Sequence, residues 1–240
     1  MSEVAGRMSV QAGAHCLEIE QGGRGMLLGG VPGTLPAQVV VLGGGVVGTN
    51  AARVALGMEA DVTILDLSLP RLAELDLHFG PALNTAFSTV DMVHELVSGA
   101  DLVVGAVLVP GAAAPKLISE DMVRGMKRGS VLVDVAVDQG GCAETSRPTT
   151  HSNPTYRTHE VVHYCVANMP GAVARTSAFA LNNATLPFTL AIAEQGPETA
   201  LTVDPHLLAG LNVYRNQVTY AAVAEATGLP YADPANLLRA

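Results

Sequence analysis

A strand, a glycine turn and a helix are compressed into the stretch from Gln38 to Asp66. The apolar run Val39 to Leu42 meets Gly43, Gly45 and Gly48 at G-x-G-x-x-G spacing, and Ala51 to Leu56 then reads as helix. A second apolar run, Val62 to Leu65, ends on Asp66, close to the separation that a dinucleotide-binding βαβ unit requires between its last glycine and its acidic residue. Each glycine has a task in such a unit. Gly43 allows the sharp turn, Gly45 lets a pyrophosphate approach the backbone, and Gly48 lets the helix pack closely on the strand. The first helical turn presents free N–H groups and a positive dipole end to the phosphates. A flexible glycine loop is the competing reading, and the flanking strand and helix patterns favour the ordered turn. A carboxylate at Asp66 accepts hydrogen bonds from ribose hydroxyls and repels a 2′-phosphate, which selects NAD over NADP.

The chain has 240 residues, 49% of them hydrophobic, enough to bury a full core in one large domain or two small ones. A net charge of −9 without any Lys/Arg block argues against a nucleic-acid surface. No apolar run approaches the roughly 18 residues of a membrane span. The first residues lack the basic start and apolar stretch of a signal peptide. Cys16, Cys142 and Cys165 are odd in number and form no C-x-x-C pair, which suits a reducing cytoplasm and small buried side chains.

Along the chain, residues 2 to 18 carry Val4, Met8, Val10, Ala14 and Leu17 near helical spacing. A helix before the first strand is expected to pack on something upstream. Met26 to Leu28 reads as a short strand, Pro70 to Phe79 as a helix, Leu83 to Ser88 as a strand and Val90 to Val97 as a helix. A fully buried strand is expected over Asp101 to Leu108, a helix over Ser119 to Met126, and a strand over Val131 to Val137. Asp138, just past that strand, points toward the ligand crevice of an open parallel sheet; a turn-capping Asp is the competing reading. Glu144 to Thr158 reads as a long loop, and Val161 to Val166 as the last strand. The tail suggests helices over Thr176 to Ala184 and Leu186 to Glu194, with weaker ones near Pro205 to Leu211 and Tyr220 to Thr227. The fold class expected is α/β, a Rossmann-type doubly wound parallel sheet with a flanking N-terminal helix and C-terminal helices.

His159-Glu-Val-Val-His163 matches the H-E-x-x-H zinc signature. That signature needs a helix, and this β-branched segment favours a strand, on which residues four apart stand about 13 Å from each other. Two ligands so placed cannot share a zinc at about 2 Å per bond, so no metal site is assigned.

The chain resembles the alanine dehydrogenase family over essentially its whole length. The resemblance rests on the first seven residues, Gly-Gly-Val-Pro-Gly at 29 to 33, Val-Leu-Gly-Gly-Gly-Val-Val-Gly at 41 to 48, and Gly-Ala-Val-Leu-Val-Pro-Gly at 105 to 111. It rests also on Val-Asp-Val-Ala-Val-Asp-Gln-Gly-Gly at 133 to 141, Glu-Thr-Ser-Arg-Pro-Thr-Thr-His at 144 to 151 and Val-Ala-Asn-Met-Pro-Gly at 166 to 171. The related transhydrogenase α subunit shares the glycine fingerprint but usually lacks the Asp-Gln-Gly-Gly run.

The resemblance implies reversible oxidative deamination of L-alanine to pyruvate and ammonium with hydride transfer to NAD. By position, Asp66 would hold the adenosine ribose, Arg71 and Ser88 would flank the adenine, and Val47, Val107, Leu108 and Val135 would line the cofactor groove beside Gly43, Gly45 and Gly48. Asp138 would be the acid/base partner at the reacting carbon, with Asn168 and Met169 bordering the nicotinamide and substrate. Family members begin with a substrate domain carrying an Arg, a Lys and a His for the substrate, and this chain begins where that domain ends, so it reads as truncated. Residues 1 to 36 would then be a bridging helix and connection, 37 to 174 the NAD-binding domain, and 175 to 240 a helical segment completing the substrate domain. The resemblance also implies a homo-oligomer, a hexamer by family habit, and the missing half could come from a separate chain. A noncatalytic NAD-binding or oligomerising module, or a transhydrogenase-α-like domain, is the alternative function.

Overall fold

The computed structural model describes residues 1–107 and 114–239. Its main sheet contains β1 (Gln38–Leu42), β2 (Asp61–Asp66), β3 (Leu83–Phe87), β4 (Leu102–Gly105), β5 (Val131–Asp134), β6 (Thr155–Thr158) and β7 (Val161–Tyr164). In space the order is β3-β2-β1-β4-β5-β7-β6. All neighbours are parallel except the β6–β7 hairpin at one edge. The helices of this part of the chain are α1 (Ser2–Cys16), α2 (Val46–Gly57), α3 (Leu69–Phe79), α4 (Val90–Gly99) and α5 (Glu120–Gly125). This is the doubly wound Rossmann arrangement, and strand order reverses between β1 and β4.

Apolar residues occupy successive positions of β1 because both faces of the sheet are covered. Val39 and Val41 point into one core with Val10 of α1, Leu17 just after it, and Ala51 and Ala55 of α2. Val40 and Leu42 point into the other, with Val93 and Val97 of α4 and Val123 of α5. At about 1.5–3 kcal/mol for each large apolar side chain removed from water, these two layers dominate the stability of the sheet.

The chain divides into two compact units, Met1–Ser177 and Ala178–Ala240. The first unit contains α1, which packs on α2 and on the sheet. Its closeness depends on Gly6, where a Cβ would stand 2.2 Å from the Val47 carbonyl oxygen.

Several boundaries differ from the sequence expectation. Met26 to Leu28 forms no strand. β4 ends at Gly105, and Leu108 lies outside the described residues. β5 ends at Asp134, not Val137, because the Asp134 side chain accepts the Ala136 N–H at 3.0 Å and turns the chain into a 3-10 helix over Val135–Gln139. Asp138 therefore sits inside a helical turn. The expected loop before Thr158 ends in β6, which joins β7 through His159 and Glu160, both at positive φ (50° and 63°).

The second unit carries most of α6 (Ala174–Gln195), a single helix through Pro187 where two segments were expected. An exposed proline forfeits one backbone bond and need not break a long helix. Next come α7 (Pro197–Val203), α8 (Pro205–Ala209), the hairpin of β8 (Val213–Tyr214) with β9 (Gln217–Val218), α9 (Ala221–Thr227) and α10 (Pro234–Arg239). The sequence reading lacked α7, α10 and the hairpin. Among the described residues, no helix is long and apolar enough to cross a membrane.

Candidate functional site

The glycine turn joins β1 to α2 at the carboxyl end of the sheet. Gly43 has φ +99°, and its N–H donates to the Leu65 carbonyl at 2.8 Å. At Gly48 a Cβ would lie 1.8 Å from the Gly43 carbonyl oxygen, so only glycine lets α2 start this close to the turn. Gly45, the N-cap of α2, is the opposite case: among the described residues, a Cβ there would meet nothing within 4 Å beyond its chain neighbours. With no side-chain cap on α2, its first-turn amides face that open space.

Asp66, at the end of β2, is built into the same turn. Its Oδ2 accepts the Gly44 N–H at 2.7 Å and its Oδ1 accepts the Ser68 N–H at 2.9 Å. Arg71 grips the other side of Gly44, donating from Nε to the Gly44 carbonyl at 2.7 Å and from Nη2 to Thr49 Oγ1 at 2.8 Å. Its Nη1 pairs with Glu74 at 2.7 Å. The Arg71 guanidinium is thus spent on the turn, and Arg71 stands outside the linings of the two cavities at this end of the sheet.

The larger cavity, about 390 Å³, is lined by Gly43, Gly45, Val47, Asp66, Ser88 and Val107, among others. The smaller, about 200 Å³, is lined by Val135, Asp138, Asn168 and Met169 with Met1, Ala5 and Pro170 nearby. The two adjoin across Ser2, Val47, Ala106 and Val107, which line both. Together they form a groove over the β1/β4 switch point. Ser2 was not read from the sequence as a site residue: it lies far from the glycine motif in the chain, and only the packing of α1 brings it there. None of the described residues lining either cavity is Lys, Arg or His.

Asp138 and Asn168 are exposed at the smaller cavity, whereas Met169 is buried. Asn168 adopts the left-handed conformation (φ 57°, ψ 52°), and its carbonyl accepts the Gly171 N–H at 2.9 Å. The histidines of the H-E-x-x-H stretch go to separate partners. His159, in the hairpin turn, reaches Glu120 at 2.7 Å. His163, fully buried in β7, lies 2.8 Å from Thr145 Oγ1 and 3.1 Å from the Val161 carbonyl. Since that carbonyl requires an N–H donor at Nδ1, Nε2 accepts from Thr145. Burial holds the His163 imidazole below its ordinary pKa of 6.5 and keeps it neutral.

These features fit a dinucleotide. The open face at Gly45 leaves room for a pyrophosphate against the α2 N-terminus, and Asp66 lines the cavity on the β2 side. Each Asp66 oxygen accepts one backbone N–H and retains a second lone-pair direction for a ribose hydroxyl.

The family model described as alanine dehydrogenase/PNT, C-terminal domain, matches residues 9–221. The chain is 64% identical over 238 residues to an alanine dehydrogenase of Halomonas elongata, covering 99% of this chain and 64% of that one. It is 59% identical over 232 residues to an alanine dehydrogenase of Methanococcus maripaludis, covering 96% and 62%. Among solved structures it is similar to an L-alanine dehydrogenase with TM-score 0.91 and 52% identity, covering 95% of this chain and 63% of that one. The chain thus spans about 64% of the length of the Halomonas relative. By the extent of the family match and the identity to these relatives, the chain belongs to the alanine dehydrogenase/PNT family, in its C-terminal domain.

Proposed function

We propose that the groove binds NAD and that the chain serves the NAD-dependent interconversion of L-alanine with pyruvate and ammonium. The observation that carries this reading is the adjoining pair of cavities, with Asp66 and the glycine turn at one end and Asp138 at the other. The family to which the chain belongs is NAD-dependent. When bound, NAD would supply the acceptor for a hydride from the substrate carbon.

The chain's own residues do the rest. Asp66 accepts the ribose hydroxyls, and the first turn of α2 takes the pyrophosphate. Ser88 borders the adenosine end, and Val47, Val107 and Val135 offer apolar walls that keep water from the ring. Asp138 moves the proton that imine formation and hydrolysis require, and Asn168 and Met169 border the place where this happens. The alanine carboxylate needs a cationic side chain, and among the described residues the lining supplies no Lys, Arg or His. That cation comes from polypeptide outside these 240 residues, whether continuous with the chain or a separate substrate-domain chain. A cytoplasmic homo-oligomer is the setting this reading favours.

Alanine-dependent NADH formation tests the proposal, measured for the purified chain alone and after adding the segment that completes the length of its relatives. Turnover only in the second case is the expected result. NADH binding without turnover in either case would instead support a noncatalytic NAD-binding module.

A further inference from the structure

Behind the wall of the smaller cavity lies a carboxylate that lines neither cavity of the groove and has no ion-pair partner among the described residues. Asp134, fully buried at the end of β5, accepts three hydrogen bonds. The Ala136 N–H reaches Oδ1 at 3.0 Å, the Cys142 N–H reaches Oδ2 at 2.8 Å, and the Ser146 hydroxyl reaches Oδ2 at 2.5 Å. Burying a carboxylate among neutral donors is expensive unless each lone pair is well used, so a residue in this place calls for a reason beyond filling space.

The donors come from both ends of one segment. Ala136 is the second residue of the 3-10 helix that carries Asp138, and Cys142 and Ser146 lie on the chain after it leaves. The closure is tight: a Cβ on Gly141 would stand 2.8 Å from Asp134 Oδ2. From the other side Lys116 donates to the Gly140 and Ala143 carbonyls, the latter at 2.9 Å. Ser146 is itself held in place. Its neighbours Thr145 and Arg147 are bridged by the Tyr156 hydroxyl, which donates to the Thr145 carbonyl at 2.8 Å and accepts the Arg147 N–H at 3.0 Å.

We propose that Asp134 is a positioning residue: its buried carboxylate fixes the 135–142 segment so that Val135, Ala136 and Asp138 form the wall of the smaller cavity against which the nicotinamide end of the cofactor is placed. This rests on the reading of the groove as an NAD site. It separates two jobs within one short motif, with Asp134 shaping the wall from inside and Asp138 facing the ligand.

The test compares NADH with ADP-ribose, which fills the adenosine and pyrophosphate part of the groove but has no nicotinamide. Both are titrated calorimetrically into the full 240-residue chain and its Asp134→Asn variant. An amide retains the shape but cannot accept at both Oδ positions, so NADH affinity falls by about tenfold or more while ADP-ribose affinity is unchanged. Ser146→Ala, which removes a single donor, shows the same selective loss in smaller measure and serves if Asp134→Asn does not fold. Equal losses for both ligands, or no loss for either, in the variants that fold would overturn the positioning role. Failure of the unmodified chain to bind either ligand would instead overturn the NAD reading and the inference with it, whereas equal affinity for the two ligands in it would overturn the inference alone.

Discussion

Asp66 Oδ2 accepts the Gly44 N–H at 2.7 Å, so the acidic residue that ends β2 is physically part of the glycine turn that ends β1. A carboxylate fixed in this way is oriented before any ligand arrives. Arg71, on the opposite side of Gly44, keeps the turn from following the ligand.

Replacing Asp66 by Ala removes a ribose acceptor, an anchor of the turn and a source of repulsion toward a 2′-phosphate. NADH affinity should therefore fall and the preference for NADH over NADPH should narrow by about tenfold or more, since hydrogen bonds to a charged group are worth about 1.5–3 kcal/mol. Calorimetric titration with both cofactors reads this directly. A preference that survives the substitution would assign cofactor choice to another residue.

Gly48→Ala tests the packing of α2 on the turn. The added methyl would stand 1.8 Å from the Gly43 carbonyl oxygen, a backbone atom that cannot swing aside. Destabilisation of about 3 kcal/mol is expected in denaturant unfolding. A change below about 0.5 kcal/mol, typical of an unconstrained surface site, would show that α2 does not lie this close.

His163 gives the first unit a pH dependence with a defined sign. Its pKa is lowered by burial, so between the folded value and the ordinary 6.5 the unfolded chain binds more protons than the folded one. Stability is full above that ordinary value and declines as the pH falls below it. In His163→Gln the slope of unfolding free energy against pH should flatten in that window. An unaltered slope would mean that the imidazole does not supply it.

Local chemistry made much of this fold legible. The parallel strands at the centre of the sheet are apolar on both faces and stand out as runs, and the glycine spacing with Asp66 marks the first βαβ unit. β6 was hidden because Thr155 to Thr158 is a half-buried edge strand that follows a Ser/Thr/Pro-rich stretch, and its turn uses His159 and Glu160 at positive φ in place of glycine. The end of β5 was hidden because it depends on what a single Asp accepts. Ser146 and Cys142 become donors to Asp134 only after the chain folds back, and Ser2 meets the groove only because α1 packs on α2. Such relations between distant residues leave no periodic trace in a sequence.

A dinucleotide lying across the glycine turn must pass close to Gly45, so Gly45→Ala should block it. Among the described residues, no atom beyond Gly45 and its chain neighbours lies within 4 Å of the position the new methyl would take, and the φ of −67° suits alanine, so the fold should be left intact. That methyl would occupy the space in which the pyrophosphate approaches the α2 N-terminus. Calorimetric titration with NADH should show binding to the unmodified chain and a loss of about tenfold or more in Gly45→Ala, with the melting temperature unchanged. Undiminished NADH binding by a folded Gly45→Ala variant, or no binding by the unmodified chain, would contradict a dinucleotide site at this turn.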